Sequence, residues 1–397
     1  MKETRRIPAT EKSSDKIRVL WLANIPSPYR VDFFNELGRC CSLTVLFERR
    51  ASSERDESWK AYRMDHFHGI FLRGTALGTA EAFCPEILRH IRKQYDYIVV
   101  TNYSDPTGLL AITYMKARGI SYLIEGDGAF PGKGREYREK LKRWAISGAA
   151  ACFSTGSRHD AYYRQYGAKK ILRYPFSSVK AADLLDFPVS FKEKVQLRSA
   201  LGIPEKQMVL AVGQLIPRKG YDILIQAAET INRDVGFYII GGSPGQIAQK
   251  EKEYASPAHV HFIPFQKWEK LRQYYLAADL LVHPCREDIW GLVVNEALAC
   301  GLPVVSTNHC NAALELIQEG INGCLVPPEN SAALAEAIRR CLCLDTEKEQ
   351  ESTENTKRAG QKTLIMEMAE AALGSVRDYT VESMAKRHIE VFSDGLG

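Results

Sequence analysis

Short apolar runs alternate with amphipathic stretches along most of the chain. Residues 17–23 read as a buried strand, 29–37 as a helix and 42–47 as the next strand. The alternation continues with a predicted helix over 81–93, a strand over 97–101, a helix over 106–117 and a strand over 121–125. Two further runs, 151–154 and 171–174, complete this first series. Between 175 and 207 the apolar period weakens and charges intrude, which predicts a linker with a short helix. A second series opens at 208–212 and supplies strands over 236–240, 260–263, 280–283 and 303–306. Short apolar strands separated by helices predict an α/β fold with parallel sheets covered on both faces.

The two series share an architecture and no tandem repeat, so the expected boundaries are 1–15 disordered, 16–180 the first domain, 181–206 a linker and 207–379 the second domain. Residues 344–361 are polar and charge-rich. Beyond them Val381, Met384, Ala385, His388, Ile389 and Phe392 recur at helical spacing, so a helix near the end of the chain, over about 380–397, is expected to pack back on the first domain.

Composition narrows the picture without redrawing it. A chain of 397 residues, 45% hydrophobic, can build two cores. No apolar run approaches the ~20 residues needed to span a bilayer, and the first residues lack a secretory apolar stretch, so a cytoplasmic protein is expected. The ten cysteines include no C-x-x-C pair and read as reduced, mostly buried side chains. A net charge of +5 is too mild to predict a nucleic-acid partner. Its distribution matters more, because Lys133, Arg135, Arg138, Lys140, Lys142 and Arg143 flank an apolar stripe of Tyr137, Leu141 and Trp144. A helix of this kind over 133–144 either makes a peripheral contact with an anionic membrane or docks on its own domain with a solvated basic face.

The densest chemical signal is Arg286-Glu287-Asp288-Ile289-Trp290-Gly291-Leu292-Val293-Val294-Asn295-Glu296, followed by Gly301 and Pro303. Gly301 is placed to end a helix in a left-handed cap, so the helix should begin near Gly291. The N–H groups of Leu292 and Val293 then face an anion, and Glu296 leans back along the same face toward a ribose. Glu287 and Asp288, in the preceding loop, are candidates to accept hydrogen bonds from sugar hydroxyls.

This stretch resembles the E-x7-E region of family 4 (group 1) retaining glycosyltransferases of the GT-B fold. The resemblance implies two Rossmann-like parallel-sheet domains facing a central cleft, the first binding the acceptor and the second the nucleotide-sugar. Counting back from Glu296, the first acid of the motif falls on Asp288, with Glu287 adjacent, and which of them contacts the donor sugar stays open. Similar enzymes place an arginine and a lysine five residues apart at the donor diphosphate. Here Gly213-Gln214 precede Arg218-Lys219, so Lys219 matches the lysine and Gln214 stands in the arginine's place, with Arg218 beside it. Ile263 and Phe265 occupy the segment that related enzymes use to hold the base. On the acceptor side the resemblance points to Ser27, Tyr29 and Arg30 after the first strand and to Asn102. Glu125 and Asp127 lie where many relatives have a histidine near the reacting sugar.

The activity implied is transfer from a UDP- or GDP-sugar to a hydroxyl of a glycan or lipid-linked glycan. The alternative is a non-catalytic nucleotide-sugar-binding subunit that partners an active transferase. No D-x-D pair occurs, so no metal and no further cofactor are expected at the leaving diphosphate. Gly241-Gly242-Ser243-Pro244-Gly245 fits a serine-hydrolase elbow in letters only, since Pro244 lacks the N–H that the oxyanion hole requires. His66 with His68 and His259 with His261 lack a third zinc ligand nearby.

Overall fold

A computed structural model describes residues 16–50, 63–77, 81–131, 135–254, 257–344 and 354–395. The expected disorder of 1–15, Lys133 of the basic run and much of 344–361 lie outside these residues. Among the described residues fifteen strands are formed: Arg18–Ala23 (β1), Ser42–Phe47 (β2), His68–Phe71 (β3), Thr75–Ala76 (β4), Ala82–Phe83 (β5), Tyr97–Val100 (β6), Leu123–Glu125 (β7), Ala151–Ser154 (β8), Ile171–Arg173 (β9), Gln207–Val212 (β10), Val235–Ile240 (β11), Val260–Ile263 (β12), Leu280–His283 (β13), Val304–Thr307 (β14) and Gly323–Val326 (β15).

They make a seven-stranded sheet in the order β3-β2-β1-β6-β7-β8-β9 and a six-stranded sheet in the order β12-β11-β10-β13-β14-β15. The strand pairs recorded in both are parallel, as the alternating pattern requires. In each sheet the strand order reverses beside the first strand, between β1 and β6 and between β10 and β13. Loops diverge at such a reversal and leave a crevice at the carboxyl ends of the strands.

Contact density divides the chain into one unit within Met1–Leu123 and His388–Gly397 and another within Ile124–Arg387. The first is built on aromatic packing, with Trp21 set edge-on against Phe33 and Phe34. The second has Val209, Phe237, Ile239, Val282 and Val305 of its sheet packed under Leu224, Leu334 and Ile338. The helix Val381–Asp394 starts in the second unit, where the Val381 N–H bonds Val179 O at 2.8 Å. It ends in the first, with His388 against Trp21 and Phe33 and the Tyr97 hydroxyl donating to Phe392 O at 2.9 Å. The C-terminal helix therefore returns to the first unit as its apolar period predicted.

One expected helix gives way and another is found. The helix expected over 81–93 is replaced by β5 and a 3-10 turn, Pro85–Arg89. Pro85 disfavours the helical region for Cys84, whose φ and ψ are −120° and 81°, and the Cys84 N–H is taken by Thr107 Oγ1 at 3.0 Å. The stretch 181–206 holds a well-capped helix, Phe191–Leu201. Ser190 and Glu193 form a reciprocal capping box and Gly202 closes the helix at φ 72°. Its Lys194 and Arg198 are buried and reach Asp279, at 3.6 Å and 2.6 Å. That segment is thus packed into the second unit.

Candidate functional site

At the β10/β13 reversal two loops are laced together. The Arg286 N–H donates to Arg218 O at 2.9 Å, and Arg218 NH1 donates back to Glu287 O at 2.9 Å. Arg286 grips Asp222 with two hydrogen bonds, at 3.0 and 2.6 Å, and also reaches Glu329 and Pro217 O. Gly220, at φ 69°, permits the contact, since a Cβ there would lie 2.1 Å from Pro284 O.

Inside this lacing Lys219 Nζ lies 2.6 Å from Asp288 Oδ2, and both side chains are about nine-tenths buried, with 11% and 12% of their surface exposed. His283 Nε2 sits 3.0 Å from the same oxygen, and Arg218 NH1 3.4 Å from Oδ1. Burial alone would raise the Asp288 carboxyl. The His283 hydrogen bond and the Lys219 charge overcome that and hold it far below the usual carboxylate range. The carboxylate of Asp288, expected to accept from sugar hydroxyls, also holds Lys219 in place. Sequence reasoning missed His283, Asp222 and Arg286 as its supports. Glu287 is exposed and contributes its carbonyl.

The helix after this loop spans Leu292–Ala299, with Gly291 at φ 97° before it and Gly301 at φ 65° beyond it. Its first backbone bond is Val294 N–H to Gly291 O at 2.9 Å, which leaves the Leu292 and Val293 N–H groups in the first turn. Glu296 accepts hydrogen bonds from Ser178 Oγ at 3.0 Å and the Tyr275 hydroxyl at 2.9 Å. Burial pushes its carboxyl up against the opposing pull of those two donors. Trp290, named above in the donor motif, keeps its ring out of solvent. It is buried edge-on against Phe176 and donates to Asn295 Oδ1 at 2.8 Å. Ile289 is exposed, and its carbonyl accepts from Asn311 Nδ2 at 2.6 Å.

Gly213 and Gln214 follow β10 and face the neighbouring turn after β11, where a Cβ on Gly241 would meet Gly213 O at 1.9 Å. At the end of β12, Ile263 O accepts the Gly241 N–H at 2.9 Å and the Phe265 N–H donates to Gly242 O at 3.0 Å. These two backbone groups are already paired, while the Phe265 ring is exposed.

Of the acceptor-side residues, Ser27, Tyr29, Arg30 and Asn102 belong to the first unit, and Glu125 and Asp127 to the second. Glu125 is fully buried at the end of β7 and accepts from the Tyr174 hydroxyl, so its carboxylate holds the β7 and β9 ends together. At the β1/β6 reversal Asn102 donates to the buried Glu48, which lies beside Asp105, the N-cap of the helix Pro106–Ala117. Burial, and for Glu48 the Asp105 charge, raise both carboxyls above their ordinary range. Acids raised by folding stabilise most below their unfolded value of ~4 and lose that contribution as pH climbs through the folded values. Thermal unfolding of the chain should therefore move to lower temperature as pH rises from about 5 to about 9. Glu48→Gln should flatten that slope, and an unchanged slope would place the ionisation elsewhere.

Beside the donor-side loops, Cys285 and Cys310 are buried with His283. A hydrogen bond from the Cys310 thiol, with burial opposing it and the His283 charge assisting, draws the Cys285 thiol well below its ordinary value.

Comparison with known proteins bears on the family and the fold. Residues 193–362 match the family model described as glycosyl transferases group 1. An uncharacterized glycosyltransferase from Methanocaldococcus jannaschii is 31% identical over 163 residues, covering 40% of this chain and 41% of that relative. The match thus spans about two-fifths of the relative's length. Among solved structures, sucrose-phosphate synthase from Thermosynechococcus elongatus superposes with a TM-score of 0.73 at 19% identity, covering 96% of this chain and 99% of that one. Anabaena HepE in complex with UDP-glucose superposes with a TM-score of 0.69 at 19% identity, covering 95% and 99%. The segment 193–362 accordingly resembles the glycosyl transferases group 1, and it is carried by a chain with the two-sheet GT-B fold.

Proposed function

We propose that the chain is a retaining glycosyltransferase of the family 4 type that moves a sugar from a nucleoside-diphosphate sugar, UDP- or GDP-linked, to a hydroxyl of a glycan or lipid-linked glycan. The observation that carries this reading is the junction of Lys219, Arg218 and the first turn of Leu292–Ala299 at the β10/β13 reversal. An ammonium has three donors. Asp288 takes one and fixes the group in place, and the others serve the diphosphate as it leaves. These cations and the helix N-terminus supply the charge that a divalent ion would otherwise provide there. Retention of configuration follows from the family resemblance, with the departing phosphate helping to deprotonate the acceptor.

Glu296 stands four residues beyond Leu292, at the helix position suited to a ribose, with Ser178 and Tyr275 orienting it. The HepE structure holding UDP-glucose supports a uridine nucleotide as the first donor to try. A peripheral, cytosolic setting is part of the same reading. The helix Glu136–Ser147 leaves Tyr137 and Leu141 exposed at 53% and 40%, flanked by Arg135, Arg138, Lys140 and Arg143. That face suits an anionic membrane carrying the acceptor. No helix among the described residues is long and apolar enough to cross a membrane.

The test is thermal unfolding against a panel of nucleotide sugars and nucleoside diphosphates. A ligand at 100 times its dissociation constant adds about 2.7 kcal/mol of stability. Glu296→Gln should weaken the preferred nucleotide about tenfold, the loss of one charged hydrogen bond, and should abolish the preference for ribose over deoxyribose. If no nucleotide shifts unfolding, the transferase reading fails.

A further inference from the structure

Among the described residues one trio of soft metal-binding side chains stands together. His283 ends β13, Cys285 lies two residues further on, and Cys310 immediately precedes the helix Asn311–Leu316. One potential ligand atom from each lies within 4.8 Å of the others, and all three residues are buried. We propose that His283, Cys285 and Cys310 form a site for one thiophilic divalent cation, of which zinc is the natural probe, fastening the loop after β13 to the loop after β14.

Two thiolates and an imidazole are the donor set of Cys2His zinc sites. Around a tetrahedral zinc, with bonds of ~2.3 Å to sulfur and ~2.0 Å to nitrogen, ligand atoms stand roughly 3.5 Å apart. The trio therefore needs to draw in by little more than about 1 Å. Its imidazole is already oriented. His283 Nε2 is committed to Asp288 Oδ2 at 3.0 Å, so Nδ1 is the ring nitrogen left to bind once it gives up its proton. A carboxylate behind a metal-binding histidine is the usual supporting arrangement.

The surrounding backbone holds the three segments in register. Ser306 Oγ donates to His283 O at 3.1 Å and Thr307 Oγ1 to Cys285 O at 2.7 Å. The Cys310 thiol meets Trp290 O at 2.9 Å. Gly291 leaves room beside it, since a Cβ there would lie 2.5 Å from Cys310 Sγ.

The other close thiol pair makes the contrast. Cys324 and Cys341 have their sulfurs 3.3 Å apart, yet Arg340 NH2 lies 2.8 Å from Cys324 Sγ, where its positive charge opposes a cation. Loading the proposed site displaces the protons that its ligands still carry as the metal–ligand bonds form, so binding should strengthen as pH rises. This cation is distinct from one at the diphosphate, and its presence does not depend on the transferase reading.

The test uses the full chain, reduced and stripped with a chelator, then titrated with Co²⁺ and followed by thiolate-to-cobalt charge-transfer absorbance. The band should saturate at one equivalent and disappear on adding Zn²⁺. It should be lost in Cys285→Ser/Cys310→Ser and kept in Cys324→Ser/Cys341→Ser, with circular dichroism confirming that each variant is folded. No band in the unsubstituted chain, or one that survives in Cys285→Ser/Cys310→Ser, overturns the proposal. Should that variant fail to fold, X-ray absorption at the zinc edge of the loaded Cys324→Ser/Cys341→Ser chain decides. A first shell of two sulfurs with nitrogen or oxygen supports the site, and any other sulfur count rejects it.

Discussion

Lys219→Ala is expected to lower turnover at saturating donor by about a hundredfold or more while leaving a folded protein. A donor aimed at charge that grows as the glycosidic bond breaks is worth ~3 kcal/mol in the transition state, and Lys219 sits where Asp288 and the laced loops hold it rigid. Removing it also leaves the buried Asp288 carboxylate to His283 and Arg218 alone, so some stability is lost as well. The two effects separate in measurement. Turnover should fall with the donor's apparent affinity changed less, and denaturant unfolding should report the structural part. Lys219→Ala combined with Asp288→Asn should regain stability relative to Lys219→Ala without regaining rate. A folded Lys219→Ala chain with near-normal turnover would remove Lys219 from the reaction.

The second large effect concerns stability. Asp279 Oδ2 accepts from Arg198 NH1 at 2.6 Å and from the Met208 N–H at 2.9 Å, with Lys194 Nζ 3.6 Å from Oδ1. All three side chains are at least nine-tenths buried, exposed at 2%, 6% and 8%. Burial lowers the Lys194 ammonium pKa, with the Asp279 charge opposing it. Asp279→Ala would leave two cations facing each other in a dry interior and free a backbone donor at the start of β10. Breaking such a group should cost about 3–5 kcal/mol, visible as a lowered denaturant midpoint. A midpoint within experimental error of the unsubstituted chain would show that water reaches Lys194 and Arg198 and that they are not confined as described.

The strands and the helix after Gly291 were legible because both depend on local pattern. Buried parallel strands need unbroken apolar runs, and a helix that starts after one glycine and stops before another declares its ends. What the pattern could not carry was partnership. Asp288 looks like a free acid in a loop, and only the fold brings Lys219, 69 positions away, against it. Nor does the pattern show that Lys194 and Arg198 are buried, since only the fold brings Asp279, just before β13, against them. The Ser190 and Glu193 pair was a readable sign that this linker begins a helix. Likewise β15 escaped notice because its run is short and opens with Gly323, where a Cβ would lie 2.0 Å from Val304 O. Glycine there is a condition of strand pairing.

The return of the last helix to the first unit has a consequence for biogenesis. Trp21 and Phe33 emerge from the ribosome long before the ring of His388 that packs on them. The Tyr97 hydroxyl waits across 295 positions for its acceptor at Phe392. The aromatic core of the first unit therefore stays unsealed until the segment that carries His388 and Phe392 has been made.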